Sequence, residues 1–217
     1  MAAGSAESTV MDGTTLRQAA RSCVRFLQQT IDDGDTDWRA GIPGMEWSVG
    51  RVVGHIAETL LYYAADLSGG PEEIRALTVT VPDDTATPTE LLAVLRAAAA
   101  TLAHVVDDTE PGDRGWHPTG VLDATGFVAL ACDELLIHTD DAARGLGRVF
   151  WAPEPVAIAV LDRLFPDAPG CRGPADPEAW DVLRWANGRL DLPGRPRRSD
   201  WQSFLRATPT GQHHSDR

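Results

Sequence analysis

Glu134 and His138 stand four residues apart in a stretch whose neighbours repeat with a helical period. Phe127, Ala131, Glu134, His138 and Asp141 fall at i, i+4, i+7, i+11 and i+14, which puts all five on one face of an α-helix. Phe127 and Ala131 mark that face as the buried one. A carboxylate and an imidazole pointing inward must be neutralised or ligated, because a lone buried charge costs several kcal/mol, on the scale of a domain's net stability. Two chemistries satisfy them. One is a Glu134–His138 ion pair bracing the helix at i, i+4. The other is a divalent cation bridged by both side chains, as helical bundles with inward Glu and His provide. A third donor would favour the cation, and His55 is a candidate at the edge of an apolar stripe between Val52 and Thr59. A lone histidine there is more often a satisfied core or surface residue, so on spacing alone both readings stay open.

The remaining chemistry-bearing residues are less pointed. His55 and Glu58 form an i, i+3 pair in which Glu58 serves equally as a solvated neighbour. His104 lies near a helix end, where it complements the negative pole of the dipole. His117, in Trp-His-Pro, precedes the Glu134 helix and either lines the mouth of a site or has no chemical part. His213 and His214 belong to the tail. Arg189, Arg195, Arg197 and Arg198 cluster within ten residues of an otherwise acidic chain. They read either as a solvated loop or as a guanidinium fork for a carboxylate-bearing ligand. Cys23 and Cys132 sit among apolar helical residues and read as core fillers. Three cysteines, odd in number and far apart, argue against a disulfide framework. No Gly-rich phosphate loop, Gly-x-Ser-x-Gly elbow or paired-cysteine zinc pattern is present.

Four amphipathic helices must position these groups. The first is expected from about Thr14 to Ile31, with Leu16, Ala20, Cys23, Leu27 and Ile31 on one stripe. Ser48 caps a second, reaching about Leu67 and burying Val49, Val52, Val53, Ile56, Leu60 and Tyr63. A connection containing the strand-like run Leu77 to Val81 follows. Thr87-Pro88-Thr89-Glu90 then opens a third helix with a capping box and a proline in first position, continuing to about Val106. A second long loop leads to the Glu134 helix, expected from Asp123 to Arg144 and closed by Gly145-Leu-Gly147. Shorter helices are expected over Glu154 to Leu164 and from a start at Asp176-Pro177-Glu178 to Asn187-Gly188. The pattern predicts an all-α fold: a four-helix bundle with crossover connections over 14–150, then a helical extension and Arg-rich strap over 151–206. Residues 1–13 read as a disordered leader without signal-peptide character, and 207–217 as a disordered tail.

The net charge of −13 repels nucleic acid. Apolar runs are short and broken by charge, so no bilayer span is expected, and a cytoplasmic setting follows by default. All 19 basic residues are arginine, a composition that fits a GC-rich genome.

Three stretches resemble the mycothiol-dependent maleylpyruvate isomerase group of the DinB-like superfamily. They are Trp47-Ser-Val-Gly-Arg-Val-Val-Gly-His55-Ile-Ala-Glu58; Glu134-Leu-Leu-Ile-His138-Thr-Asp-Asp141-Ala-Ala-Arg-Gly-Leu-Gly147; and Arg163-Leu-Phe-Pro-Asp167 with Trp185-Ala-Asn-Gly-Arg-Leu-Asp-Leu-Pro-Gly194. The third resembles the tail of many actinobacterial members. The resemblance implies a DinB-like bundle and a divalent metal held by His55, Glu134 and His138. That metal is usually zinc, while two His and one carboxylate also suit nickel or ferrous iron. It further implies mycothiol as thiol cofactor, with Asp141 placed either behind the ligands or at the thiol's polar head. The isomerase is expected to carry a larger C-terminal domain supplying an active-site arginine. Here only residues 151–217 follow the bundle, and Arg195, Arg197 and Arg198 are the candidates for that part. The expected function is a metal-dependent, mycothiol-using enzyme, an isomerase or S-transferase acting on an electrophilic, anionic small molecule, as monomer or homodimer. The alternative is a non-catalytic metal- or ligand-binding module.

Overall fold

The structure, a computed structural model, describes residues 9–34, 37–171 and 176–199. Expectations for residues 1–8, for 200–206, for His213 and His214, and for the tail from 207 onward lie outside the described residues. Among the described residues there are six helices and no strand. Helix α1 (Gly13–Asp32) starts where Asp12 Oδ1 accepts the Thr14 and Thr15 N–H groups, both at 2.9 Å. Helix α2 (Val49–Gly69) is capped by Ser48, and α3 (Pro88–Asp107) by a full capping box between Thr87 and Glu90. Helix α4 (Ala124–Gly145) starts from Asp123, whose Oδ1 accepts the Gly126 N–H at 2.8 Å. Two shorter helices follow, α5 (Glu154–Leu164) and α6 (Ala179–Ala186).

The four long helices lie where their sequence signals put them. The departures are local. The leader ends earlier than expected, because Met11 joins the core and Asp12 caps α1. Helix α6 begins at Ala179, and Asp176 and Pro177 do not serve as its cap and first residue. Ala179 and Trp180 are buried there, with Trp180 edge-on to Phe150 at 5.9 Å, so packing rather than cap chemistry sets the start. The run from Leu77 to Val81 forms no strand. Its backbone is satisfied by α2 side chains instead: Val79 N–H donates to the Tyr62 hydroxyl at 2.9 Å and Val81 N–H to Glu58 Oε1 at 2.8 Å. Helix α3 does have the length and apolar composition to cross a bilayer, contrary to the expectation from short apolar runs. Leu91, Leu92, Leu95, Ala98 and Leu102 are instead buried where α3 packs between α1 and α2.

Helices α1 and α2 each pack against α3 and α4, so chain neighbours α1/α2 and α3/α4 stand across diagonals. Arg17 near the start of α1 pairs with Asp107 at the end of α3, making these two antiparallel. A Cβ added at Gly50 would lie 3.4 Å from Leu91, so α2 and α3 start side by side and run parallel. The segment after α2 makes this possible by doubling back along it, with Val81 3.5 Å from where a Cβ on Gly54 would sit. At the other corner a Cβ on Gly145 would fall 2.6 Å from Val49, which only glycine avoids, and this brings the end of α4 to the start of α2. The bundle therefore runs up, down, down, up, with the inner faces of α2 and α4 opposed and antiparallel.

Ile56, Leu60, Leu95, Leu102, Phe127 and Leu135 are fully buried between these helices. Cys23 and Cys132 are buried with them, and burial pushes the Cys23 thiol up to about 12, as fits an inert core residue. Helices α5 and α6 extend the core along the outer flank of α4.

Candidate metal centre

Opposing α2 and α4 antiparallel brings the second turn of one against the middle of the other. His55 of α2 meets Glu134 and His138 of α4, and one donor atom from each lies within 4.8 Å of both others. Glu134 Oε2 is the focus, 3.2 Å from His138 Nε2 and 3.5 Å from His55 Nε2. That oxygen is buried and accepts no well-formed hydrogen bond. Two ligands each about 2.0–2.1 Å from a tetrahedral ion stand roughly 3.4 Å apart, so the spacing suits a common cation. The side chains of His55, Glu134 and His138 are 27%, 24% and 14% exposed. The α4 face is thus graded, sealed at Phe127, Ala131 and Asp141 and open to a small ligand at the two donors between them.

Trp47 forms one wall, its ring 4.8 Å from that of His55 and 6.4 Å from that of His138. The guanidinium of Arg51 lies over the indole at 5.1 Å and forks onto Glu58 Oε2 at 3.0 Å through both terminal nitrogens. Glu58, which the sequence left open between a partner of His55 and a solvated neighbour, holds both this arginine and the segment that doubles back along α2.

Behind His138 stands Asp141, whose side chain is completely buried. Its Oδ2 accepts from His138 Nδ1 at 3.0 Å. Spending the Nδ1 proton on a carboxylate leaves Nε2 facing Glu134, the arrangement by which metal-binding histidines are usually oriented. Both Asp141 oxygens are taken: Arg189 forks onto them at 3.1 and 2.9 Å, and Arg144 reaches Oδ1. Of the two roles open to Asp141, the geometry supports the one behind the ligands, because no lone pair is left facing a thiol.

The electrostatics follow from these contacts. Burial alone would raise Glu134, yet the two imidazoles outweigh it and hold the carboxyl at about 2. Burial would likewise lower His138, but its contacts with Asp141 and Glu134 hold it at about 9. Without a metal the site is thus a carboxylate with a protonated imidazole, and an ion entering it displaces that proton.

The sequence-derived arginines are placed elsewhere. Arg197 pairs with Asp191 at 3.4 Å, Arg198 with Asp167 at 3.3 Å and over the Trp185 ring at 5.4 Å, and Arg195 is exposed in a turn bridged to Leu192. Within that basic cluster it is Arg189 that reaches the site's support. The signal available for it was the need of a buried Asp141 for a cationic partner. His117 rests on Tyr63 and Phe127, with ring centroids 5.7 and 6.3 Å away, about two helical turns from the ligands.

No match is found among curated proteins. Two crystal structures of mycothiol-dependent maleylpyruvate isomerase, one of them a histidine-to-alanine mutant, share the fold. Their TM-scores are 0.58 and 0.57 at 16% and 17% identity, over 85% of this chain and 95% of theirs. The family model described as the mycothiol maleylpyruvate isomerase N-terminal domain matches residues 16–143, which are the bundle and its three converging side chains. The chain belongs to the family of the mycothiol maleylpyruvate isomerase N-terminal domain.

Proposed function

We propose that this protein is a metal-dependent enzyme that binds mycothiol and uses it on an electrophilic small molecule, as an isomerase or S-transferase. The observation that carries the reading is the buried, hydrogen-bond-free Glu134 Oε2 with two imidazole nitrogens at 3.2 and 3.5 Å. His55, Glu134 and His138 would hold the ion. Two imidazoles and a carboxylate favour zinc and admit nickel or ferrous iron. Bound there, the ion supplies a Lewis acid that lowers the pKa of an incoming thiol, so that the reactive thiolate forms at neutral pH.

The chain's own residues do the rest. Three protein donors leave one place in a four-coordinate shell for an outside ligand. Asp141 keeps the His138 proton on Nδ1 and its lone pair on Nε2. Trp47 covers the imidazoles on one side, limits water there and offers a flat apolar wall to a planar substrate. An anionic substrate would engage Arg197 or Arg198 only on release of their pairs with Asp191 and Asp167.

Elemental analysis of the protein after zinc reconstitution and desalting tests the first half. About one equivalent is expected, lost in His55→Ala and His138→Ala with helicity retained. Calorimetric titration with mycothiol tests the second, with binding expected only when metal is present. A chain that retains no metal, or binds the thiol equally well without it, overturns the reading. Metal-dependent thiol binding with no turnover across electrophiles would reduce it to a binding module.

A further inference from the structure

Helix α4 turns three aspartates toward the C-terminal segment, and that segment answers each of them. Arg184 Nε donates to Asp140 Oδ2 at 3.2 Å, Asn187 Nδ2 to Asp133 Oδ1 at 2.9 Å, and Arg189 forks onto Asp141. The turn after α6 makes the last contact possible. Gly188 takes a positive φ of 69°, and the Arg189 N–H returns to Arg184 O at 2.8 Å. The Arg189 side chain is then tethered from its own segment, its Nη1 donating to Asn187 O at 2.8 Å. Among these three aspartates, Asp141 is the one in hydrogen-bond contact with a member of the His55–Glu134–His138 group.

We infer that Arg189 is a positioning residue for the metal centre: by fixing the plane of the Asp141 carboxylate it fixes the His138 ring and thereby sets the affinity of the site for its ion. The inference rests on the metal-binding reading above. A guanidinium fork holds both oxygens of a carboxylate in one plane, which a single point charge does not. Without it Arg144 retains Oδ1 alone, and the Oδ2 that accepts from His138 Nδ1 is free to turn. Loss of a carboxylate behind a ligating histidine costs about 10–100-fold in metal affinity. Arg189 acts one contact further out, so the lower end of that range, about 10-fold, applies.

The Arg184–Asp140 pair supplies a matched control. It joins the same segment to the same helix through the neighbouring aspartate, whose side chain is 5% exposed, and neither partner hydrogen-bonds to His55, Glu134 or His138. Zinc affinity is measured by competition with a chromophoric chelator for the full chain and for Arg189→Gln, Arg189→Lys and Arg184→Gln, with unfolding temperatures recorded alongside. Arg189→Gln is expected to bind zinc about 10-fold more weakly. Arg189→Lys should fall between it and the parent. Arg184→Gln should stay within about twofold of the parent even where it unfolds at a similarly lowered temperature. Equal weakening in Arg184→Gln and Arg189→Gln, or parent-like binding in Arg189→Gln, overturns the inference.

A second arm needs no metal. The His138 Nδ1 proton, followed by NMR in metal-free protein, should exchange slowly in the parent and in Arg184→Gln and be lost to fast exchange in Arg189→Gln. A slow proton in Arg189→Gln overturns the clamp. Absence of zinc binding in the parent would overturn the metal reading and with it the affinity part of this inference, while the proton measurement would still decide whether Arg189 clamps His138 through Asp141.

Discussion

Replacing Asp141 by Asn tests the centre's support with little change of shape. Asn keeps the volume and one carbonyl oxygen, but it removes the charge and puts an NH2 donor where Arg144, Arg189 or His138 also donates. Breaking a buried ion pair from one side costs about 3–5 kcal/mol. Arg144 and Arg189 are 31% and 20% exposed, so water relieves part of the loss and about 2–3 kcal/mol is expected at pH 7. For a chain of this size each kcal/mol moves the unfolding midpoint by about 2–4 °C, which gives a fall of about 5–10 °C by circular dichroism in chelator. Burial pushes the Asp141 carboxyl up, yet its contacts with His138 and Arg189 outweigh this and leave it below the usual range. A carboxyl depressed in the folded state contributes fully above its unfolded value and loses that contribution as pH falls toward the folded one. The gap between parent and variant should therefore be complete at neutral pH and shrink below about pH 4. Zinc supplies an independent reading. At 100 times its dissociation constant it stabilises the parent by about 2.7 kcal/mol, and at the same concentration it should stabilise the variant less. A gap under about 1 kcal/mol at pH 7, or equal zinc stabilisation of both proteins, would refute the account of Asp141.

Two further perturbations probe the elements around the site. Glu58→Gln should loosen the segment around Val81, because the carboxylate accepts both the Val81 N–H and the Arg51 fork. A loss of about 1–2 kcal/mol is expected, with faster hydrogen exchange at the Val81 amide, and unchanged protection there would exclude that segment's dependence on Glu58. Burial holds His117 below its usual pKa, against the opposing pull of Glu134. The unfolded chain then binds the extra proton, so stability is full above about pH 6.5 and declines as pH drops through that value. His117→Gln should flatten the decline in urea midpoints between pH 7.5 and 5.5, and a full slope in the variant would assign it to another group.

The parts of this molecule that were legible in the sequence are those fixed by local rules. Ser48 and Thr87 announce two helix starts through cap chemistry that depends on neighbours within three residues. The shared face of Glu134 and His138 follows from helical periodicity in the same way. What was not legible depends on partners far along the chain. The strand-like run to Val81 is extended because Tyr62 and Glu58 on another element take its N–H groups. Helix α6 starts where Trp180 finds Phe150. Arg189 was visible as one of a basic cluster, yet its partner Asp141 lies 48 residues back along the chain, while Arg197 ends on nearby Asp191. The distinction arises from a positive-φ turn at Gly188 that aims one arginine inward.

The charge arrangement on α4 gives a reason for the metal reading that does not depend on kinship. The helix directs four carboxylates, at Asp133, Glu134, Asp140 and Asp141, toward partners on other elements or toward imidazoles. Asp140 and Asp141 are answered by Arg184 and Arg189, whose charges are permanent. Asp133 is met by the neutral amide of Asn187, and burial beside Glu134 raises it to about 7, so it has a proton at hand when it needs one. Glu134 has neither remedy. It is held ionised at about 2 by two imidazoles whose charge must itself come from protons. A structural bundle would more simply carry a glutamine at this position, or an arginine opposite. At neutral pH the proton that balances it sits on His138, which Asp141 and Glu134 hold at about 9, and a metal ion entering the site must displace that proton. Three donors at ligand spacing, with the His138 proton already assigned to Asp141, favour that cation over the proton.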